Sequence, residues 1–92
     1  MSAGKQNSEL KSNQKNIELK QHFLLLHNDD VNTFEYVIDC LIEICHHDII
    51  QAEQCATLAH YKGKCEIKAG VFDSLKPLKD LFIIKGLNVT IE

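Results

Sequence analysis

The chain has 92 residues, 45% of them hydrophobic and 25% charged, with a formal net charge of −3. That is enough for one hydrophobic core and too little for two domains of ordinary size. All of its basic residues are lysine, so it lacks the basic face and the arginine base reader on which nucleic-acid binding relies.

The charge is unevenly spread. Residues 1–20 hold four lysines and two glutamates, whereas residues 21–92 hold six lysines and eleven carboxylates. An acidic domain suits a cationic partner, such as a peptide amino terminus or a basic protein surface. Apolar runs such as Phe23–Leu26 are far too short to span a membrane, and no secretory signal pattern is visible. A cytoplasmic protein without membrane contact is the expectation.

Residues 1–20 are rich in Ser, Asn, Gln and Lys and show no sustained period, which predicts a flexible N-terminal extension ahead of a core domain over 21–92. Gln21–His27 reads as a first strand, buried because its apolar run is continuous. Asn28, Asp29 and Asp30 then form a turn. Asn32, with Glu35 three positions on, predicts the N-cap of a first helix running from Thr33 to about Cys45. Val37, Ile38, Leu41, Ile44 and Cys45 give that helix one apolar face. Asp48 and Gln51 repeat the cap signature and predict a second helix from Ile49 to about Tyr61, ended by Lys62-Gly63. Its inner face, Ala52, Cys55, Ala56 and Ala59, is made of small side chains that admit another element or a ligand at close range.

Lys64–Gly70 alternates and predicts a half-buried strand with Cys65, Ile67 and Ala69 on one side. Asp73-Ser74 marks a third helix start, with Pro77 in a first turn where amide donors are spare. Leu75, Leu78, Leu81 and Phe82, with Ile83 beside them, form its packing face, and Gly86 stops it. Leu87, Val89 and Ile91 alternate with polar residues into a closing strand. The order β-α-α-β-α-β predicts an α/β chain, more closely an α+β sandwich, with a three-stranded sheet and three helices largely on one face.

Three acceptor-bearing side chains on one strand–turn–helix junction suit a small cation, and an ammonium group and a metal ion both qualify. His60 is the second candidate, at the end of the small-residue face and before Tyr61-Lys62-Gly63. A histidine at a helix C-terminus is also a favourable dipole partner in its own right. Cys40, Cys45, Cys55 and Cys65 lack paired zinc-ligand spacing, and without a secretory signal they read as small apolar side chains in a reduced core. No metal and no cofactor are expected. There is no serine in a nucleophile-elbow setting and no G-x-x-x-x-G-K loop, so an enzyme is not expected either.

Leu26-His27-Asn28-Asp29-Asp30 followed by Phe34-Glu35-Tyr36-Val37-Ile38 resembles the first signature of the ClpS adaptor family. Ala59-His60-Tyr61-Lys62-Gly63-Lys64 resembles its second, Gly70-Val71-Phe72 its third, and Leu87–Glu92 its last strand. The ordered set covers about residues 21–92. The resemblance implies a fold like the C-terminal domain of the ribosomal stalk protein. It also implies a non-catalytic role: binding N-degrons, proteins whose first residue is bulky and hydrophobic, and delivering them to the N-terminal domain of a ClpA or ClpC unfoldase. By position, Asn28, Asp29 and His60 would contact the free α-amino group, Asp30 and Asn32 would line the entrance, and Phe34, Val37, Ala56, Ala59 and Leu87 would wall the apolar pocket. Asn32, Phe34 and Ala56 depart from the threonine and methionines common in the family. Lys76-Pro77-Leu78-Lys79 departs from the Ala-Glu-Thr-Lys pattern associated with unfoldase docking. The alternative is an interaction module that docks on an unfoldase or another complex without reading amino termini.

Overall fold

The computed structural model describes residues 20–92, so all but the last residue of the expected N-terminal extension lies outside it. Its elements are β1 (Gln21–His27), α1 (Phe34–Cys45), α2 (Ile49–Lys62), β2 (Lys64–Val71), α3 (Phe72–Ile84) and β3 (Val89–Ile91). The strands form one antiparallel sheet in the order β2-β1-β3, giving the α+β architecture expected from the sequence.

The central strand divides the molecule. Side chains alternate along a strand, so Leu24 and Leu26 share a face, and both are fully buried in a cluster with residues of all three helices. From the helices come Leu41 of α1, Ala56 and Ala59 of α2, and Leu75 and Phe82 of α3. Leu25 points the other way, opposite Thr90 and Glu66, and stays outside that cluster although it is buried. The helices therefore cover one face of the sheet.

The structure revises four local readings. Thr33, not Asn32, caps α1: its side chain accepts from the Tyr36 amide at 3.1 Å, while Asn32 is engaged elsewhere. The expected alternation of β2 is broken by a bulge. The register slips between Leu24, opposite Lys68, and Leu25, opposite Glu66, leaving Ile67 as the extra residue. Beyond it the facing reverses, so Ala69 is exposed and Gly70 lies against Leu75. The Ile67 carbonyl accepts from Nε2 of the buried His47 at 2.9 Å, which pins the bulge to the α1–α2 connection. A carbonyl only accepts, so Nε2 carries the proton, and Nδ1 is buried without a partner among the described residues.

The other two revisions concern α3. It begins at Phe72, with Val71 as a cap that makes no side-chain bond, so Pro77 falls in the second turn rather than the first. Only Leu75 and Phe82 are fully buried in this helix, while Leu81, Ile83 and Ile84 are exposed. Gly86 still ends the segment, in the left-handed region at φ 85°.

Pro77 has no N–H to offer the carbonyl four residues back, and its ring crowds that carbonyl. The position is exposed, so replacement leaves no cavity. Proline costs roughly 3 kcal/mol against alanine inside a helix, less the 0.4–1 kcal/mol or so by which it restricts the unfolded chain. Pro77→Ala is therefore expected to stabilise the protein by about 2 kcal/mol, read as a higher urea midpoint at unchanged m. An unchanged or lower midpoint would show that the helix accommodates the ring without loss.

Candidate functional site: a cleft between the β1–α1 turn and α2

Six residues separate the end of β1 from the start of α1, and the Asp29 carboxylate organises them. Its Oδ1 accepts from the amides of Val31 at 2.9 Å and Asn32 at 2.8 Å, and its Oδ2 accepts from Nδ2 of Asn32 at 3.1 Å. The turn's own bonds thus take three of roughly four acceptor positions on a carboxylate. Burial raises the Asp29 pKa, but the bonds from the Asn32 amide, the Asn32 side chain and the Val31 amide outweigh it and hold the group below its ordinary value of 3.8.

Asn32 carries the constraint onward. Its Nδ2 also donates to the Gly86 carbonyl at 2.9 Å, 54 residues away. One turn into α1, the Tyr36 hydroxyl donates to the neighbouring Lys85 carbonyl at 2.7 Å. The opposite side of the turn is held by the Asn28 amide, which donates to the Gly63 carbonyl at 2.9 Å. Gly63 takes φ 93° at the end of α2, a conformation other residues adopt at a cost, so the α2–β2 corner and the β1–α1 turn are joined.

Between turn and helix lies a cleft of about 660 Å3, within the 300–1,000 Å3 or so typical of small-ligand sites. Asn28, Asp29, Asp30, Asn32 and His60 line its polar part, and Phe34, Val37, Ala56 and Ala59 its apolar part. Nine of the ten residues singled out in the sequence thus meet in one space. Leu87 does not: it is buried in the core, and its amide donates to the Phe82 carbonyl at 3.0 Å. Small Ala56 and Ala59 leave the space open on the α2 side, where a longer side chain would fill it. The His60 ring meets Tyr61 edge-on, with centroids 4.8 Å apart, and forms no hydrogen bond within the described residues.

Four further residues line the cleft: Leu26, His27, Thr57 and Tyr61. The last two were legible in principle. Thr57 and Tyr61 are four apart on α2, as are Ala56 and His60, so all four share a helix face. His27 is the last residue of β1, and its Nε2 meets the Thr90 hydroxyl at 2.7 Å; no local pattern announces that pairing across the sheet.

The chemistry follows from the lining. Two carboxylates, two amide side chains and imidazoles face the space, and no lysine does, so an anion would meet uncompensated negative charge. Among the described residues no three His, Cys, Asp or Glu side chains are grouped to hold a metal ion. The same space sets hydrogen-bond acceptors beside an apolar wall.

The lowered Asp29 pKa has a consequence for stability. A group that binds its proton less readily folded than unfolded contributes stability that is whole above its unfolded value and lost as pH falls through the lower folded one. Asp29→Asn is expected to lower the urea midpoint at neutral pH and to flatten part of its fall between about pH 5 and pH 2. An acid profile that overlays the native one would mean that the charge on Asp29 is immaterial to the turn.

The family model described as "ATP-dependent Clp protease adaptor protein ClpS" matches residues 18–83. No curated protein matches the chain. Among solved structures, the chain is similar to Agrobacterium tumefaciens ClpS2 bound to L-phenylalaninamide, with a TM-score of 0.69 and 24% identity over 79% of this chain and 95% of that one. The likeness carries the fold, three helices on an antiparallel three-stranded sheet, and the family match spans most of β1 through α3. The chain belongs to the ClpS family of Clp protease adaptors.

Proposed function

We propose that the cleft receives the first residue of a protein substrate, its free α-amino group at the polar end and a bulky hydrophobic side chain at the apolar end. The carrying observation is that one space joins a set of acceptors with no lining cation to a wall opened by alanines. The Agrobacterium protein, in the structure named above, holds L-phenylalaninamide, which combines the same two features.

A desolvated ammonium needs acceptors for its three protons. Asn28, His60 and the remaining acceptor position of Asp29 supply them in this reading. Asp30, exposed at the rim, and Asn32 shape the entrance. Phe34, Val37, Ala56 and Ala59 enclose the side chain. No covalent chemistry is asked of any of them, and the protein acts as a cytoplasmic, non-catalytic adaptor.

Isothermal titration with a Phe-initiated peptide and its N-acetylated counterpart tests this directly. Acetylation removes the charge and two protons, and hydrogen bonds to charged groups contribute about 1.5–3 kcal/mol each, so affinity is expected to fall at least tenfold. His60→Ala should weaken the free peptide by a similar amount and leave the acetylated one unchanged. Equal binding of both peptides would favour the other reading, a module that docks on a complex without sensing amino termini.

Delivery is the second half of the proposal, to the N-terminal domain of a ClpA- or ClpC-type unfoldase. The lysine-rich composition of residues 1–20 beside an acidic core supports a role for that segment in delivery rather than in the cleft. A chain starting at Lys20 is expected to bind peptide with native affinity and to lose acceleration of substrate degradation. Native acceleration by the shortened chain would assign delivery to the core domain instead.

A further inference from the structure

Cys55 is on the inner face of α2 and is almost fully buried, while Cys65, the second residue of β2, is half-buried. Their sulfurs are 2.8 Å apart, against about 2.05 Å in a disulfide. The chain returns on itself between them through the left-handed Gly63, which brings helix and strand side chains face to face. All four cysteines are free thiols, and among the described residues no other pair of their sulfurs is within hydrogen-bonding distance. Unlike a lone thiol in a core, this pair already has the juxtaposition that a covalent bond needs.

We propose that Cys55 and Cys65 form a dithiol site that low-molecular-weight disulfides of the glutathione type oxidise reversibly to an internal disulfide. Cys65, the more accessible sulfur, attacks one sulfur of glutathione disulfide, forming a mixed disulfide and releasing one glutathione thiolate, which takes up the Cys65 proton. Cys55 then attacks the Cys65 sulfur, its proton passing to the second departing glutathione. Two protein thiols are oxidised, one small disulfide is reduced to two thiols, and nothing else is consumed. Burial pushes the Cys55 thiol well above its ordinary range, which makes it the resolving rather than the initiating group. Cys45 is also half-buried, and burial pushes its thiol up to about 11, so it is a poor competitor for the first step.

The bond closes a short loop that contains Ala56, Ala59, His60 and Gly63. That restricts the unfolded chain and ties the α2–β2 corner down beneath the cleft. The site stands independently of what the cleft binds.

The test treats the folded full-length chain with glutathione disulfide, blocks the remaining thiols by alkylation, and maps the peptides by mass. The expected product has lost two hydrogens, joins Cys55 to Cys65, leaves Cys40 and Cys45 alkylated, and returns to the dithiol with dithiothreitol. Its melting temperature should rise by roughly 10 °C over the reduced form, the scale for short-loop closure in a domain of this size, and Cys65→Ala should abolish the rise. A bond from Cys55 to Cys45, a stable glutathione adduct without closure, or an oxidised form that melts no higher than the reduced one would overturn the proposal. The mapping of the native chain needs no variant, so it stands even if Cys65→Ala fails to fold.

Discussion

The cleft depends first on one carboxylate. β1 has to end and α1 has to begin within a few residues, and Asp29 makes that possible by accepting from two backbone amides and one side-chain amide of its own turn. Through Asn32 the same constraint reaches the Gly86 carbonyl, and Tyr36 secures the next carbonyl, that of Lys85. The shape of a surface site is thereby tied to the α3–β3 corner. Each such bond contributes only about 0.5–1.5 kcal/mol net, so the turn is held by agreement among several of them. The Asp29 pKa lies low for the same reason: the bonds that hold the turn favour its ionised form.

The opposite wall obeys a different constraint. An inner face built from Ala52, Cys55, Ala56 and Ala59 buries little apolar area per residue, and at about 25 cal/mol per Å2 it anchors α2 weakly by itself. The larger buried side chains, Leu24, Leu26, Leu41, Leu75, Val89 and Phe82, lie on the other elements. A cleft forms where the packing is thin, and the wall that borders it needs ties of another kind. The Asp48 cap accepting from Gln51, the Gly63 corner joined to Asn28 and the Cys55–Cys65 contact all hold α2 by its ends or by its return strand.

These two kinds of constraint explain what could be read in the sequence. Element order and most boundaries were legible because they follow local rules: apolar period, caps at Asp48, and Gly63 and Gly86 as stops. Nine of the ten residues singled out in the sequence line one cleft: the turn and the small face of α2 follow from local pattern, whereas the entrance and the pocket walls came from the family resemblance. What failed was set by distant partners. Asn32 has the right chemistry for a cap, but Thr33 is one residue nearer the helix and Gly86 claims the Asn32 amide. The bulge at Ile67 answers to β1 and His47, and nothing within β2 marks it. Leu81 and Ile83 read as core because they are apolar, yet only Leu75 and Phe82 of α3 are fully buried. Leu87 follows the stop at Gly86 and goes into the core rather than the cleft wall.

The division of labour among the acidic groups completes the physical picture. Asp29, whose charged form is favoured by the bonds it accepts, has most of its acceptor capacity turned inward, so its leading contribution is geometry. Asp30 is exposed at the rim and makes no hydrogen bond to the described residues, so its charge acts outward. Such charges are screened by salt over about 8–10 Å, and their effect falls on the encounter with a cationic ligand more than on its final fit. In the function proposed above, the final fit rests on Asn28, His60 and the free acceptor position of Asp29, which the Gly63 corner, the end of α2 and the turn hold in place. On that proposal, the rim charge acts on the encounter and hydrogen-bond direction acts on the fit, so charge and shape are tested by different residues in succession.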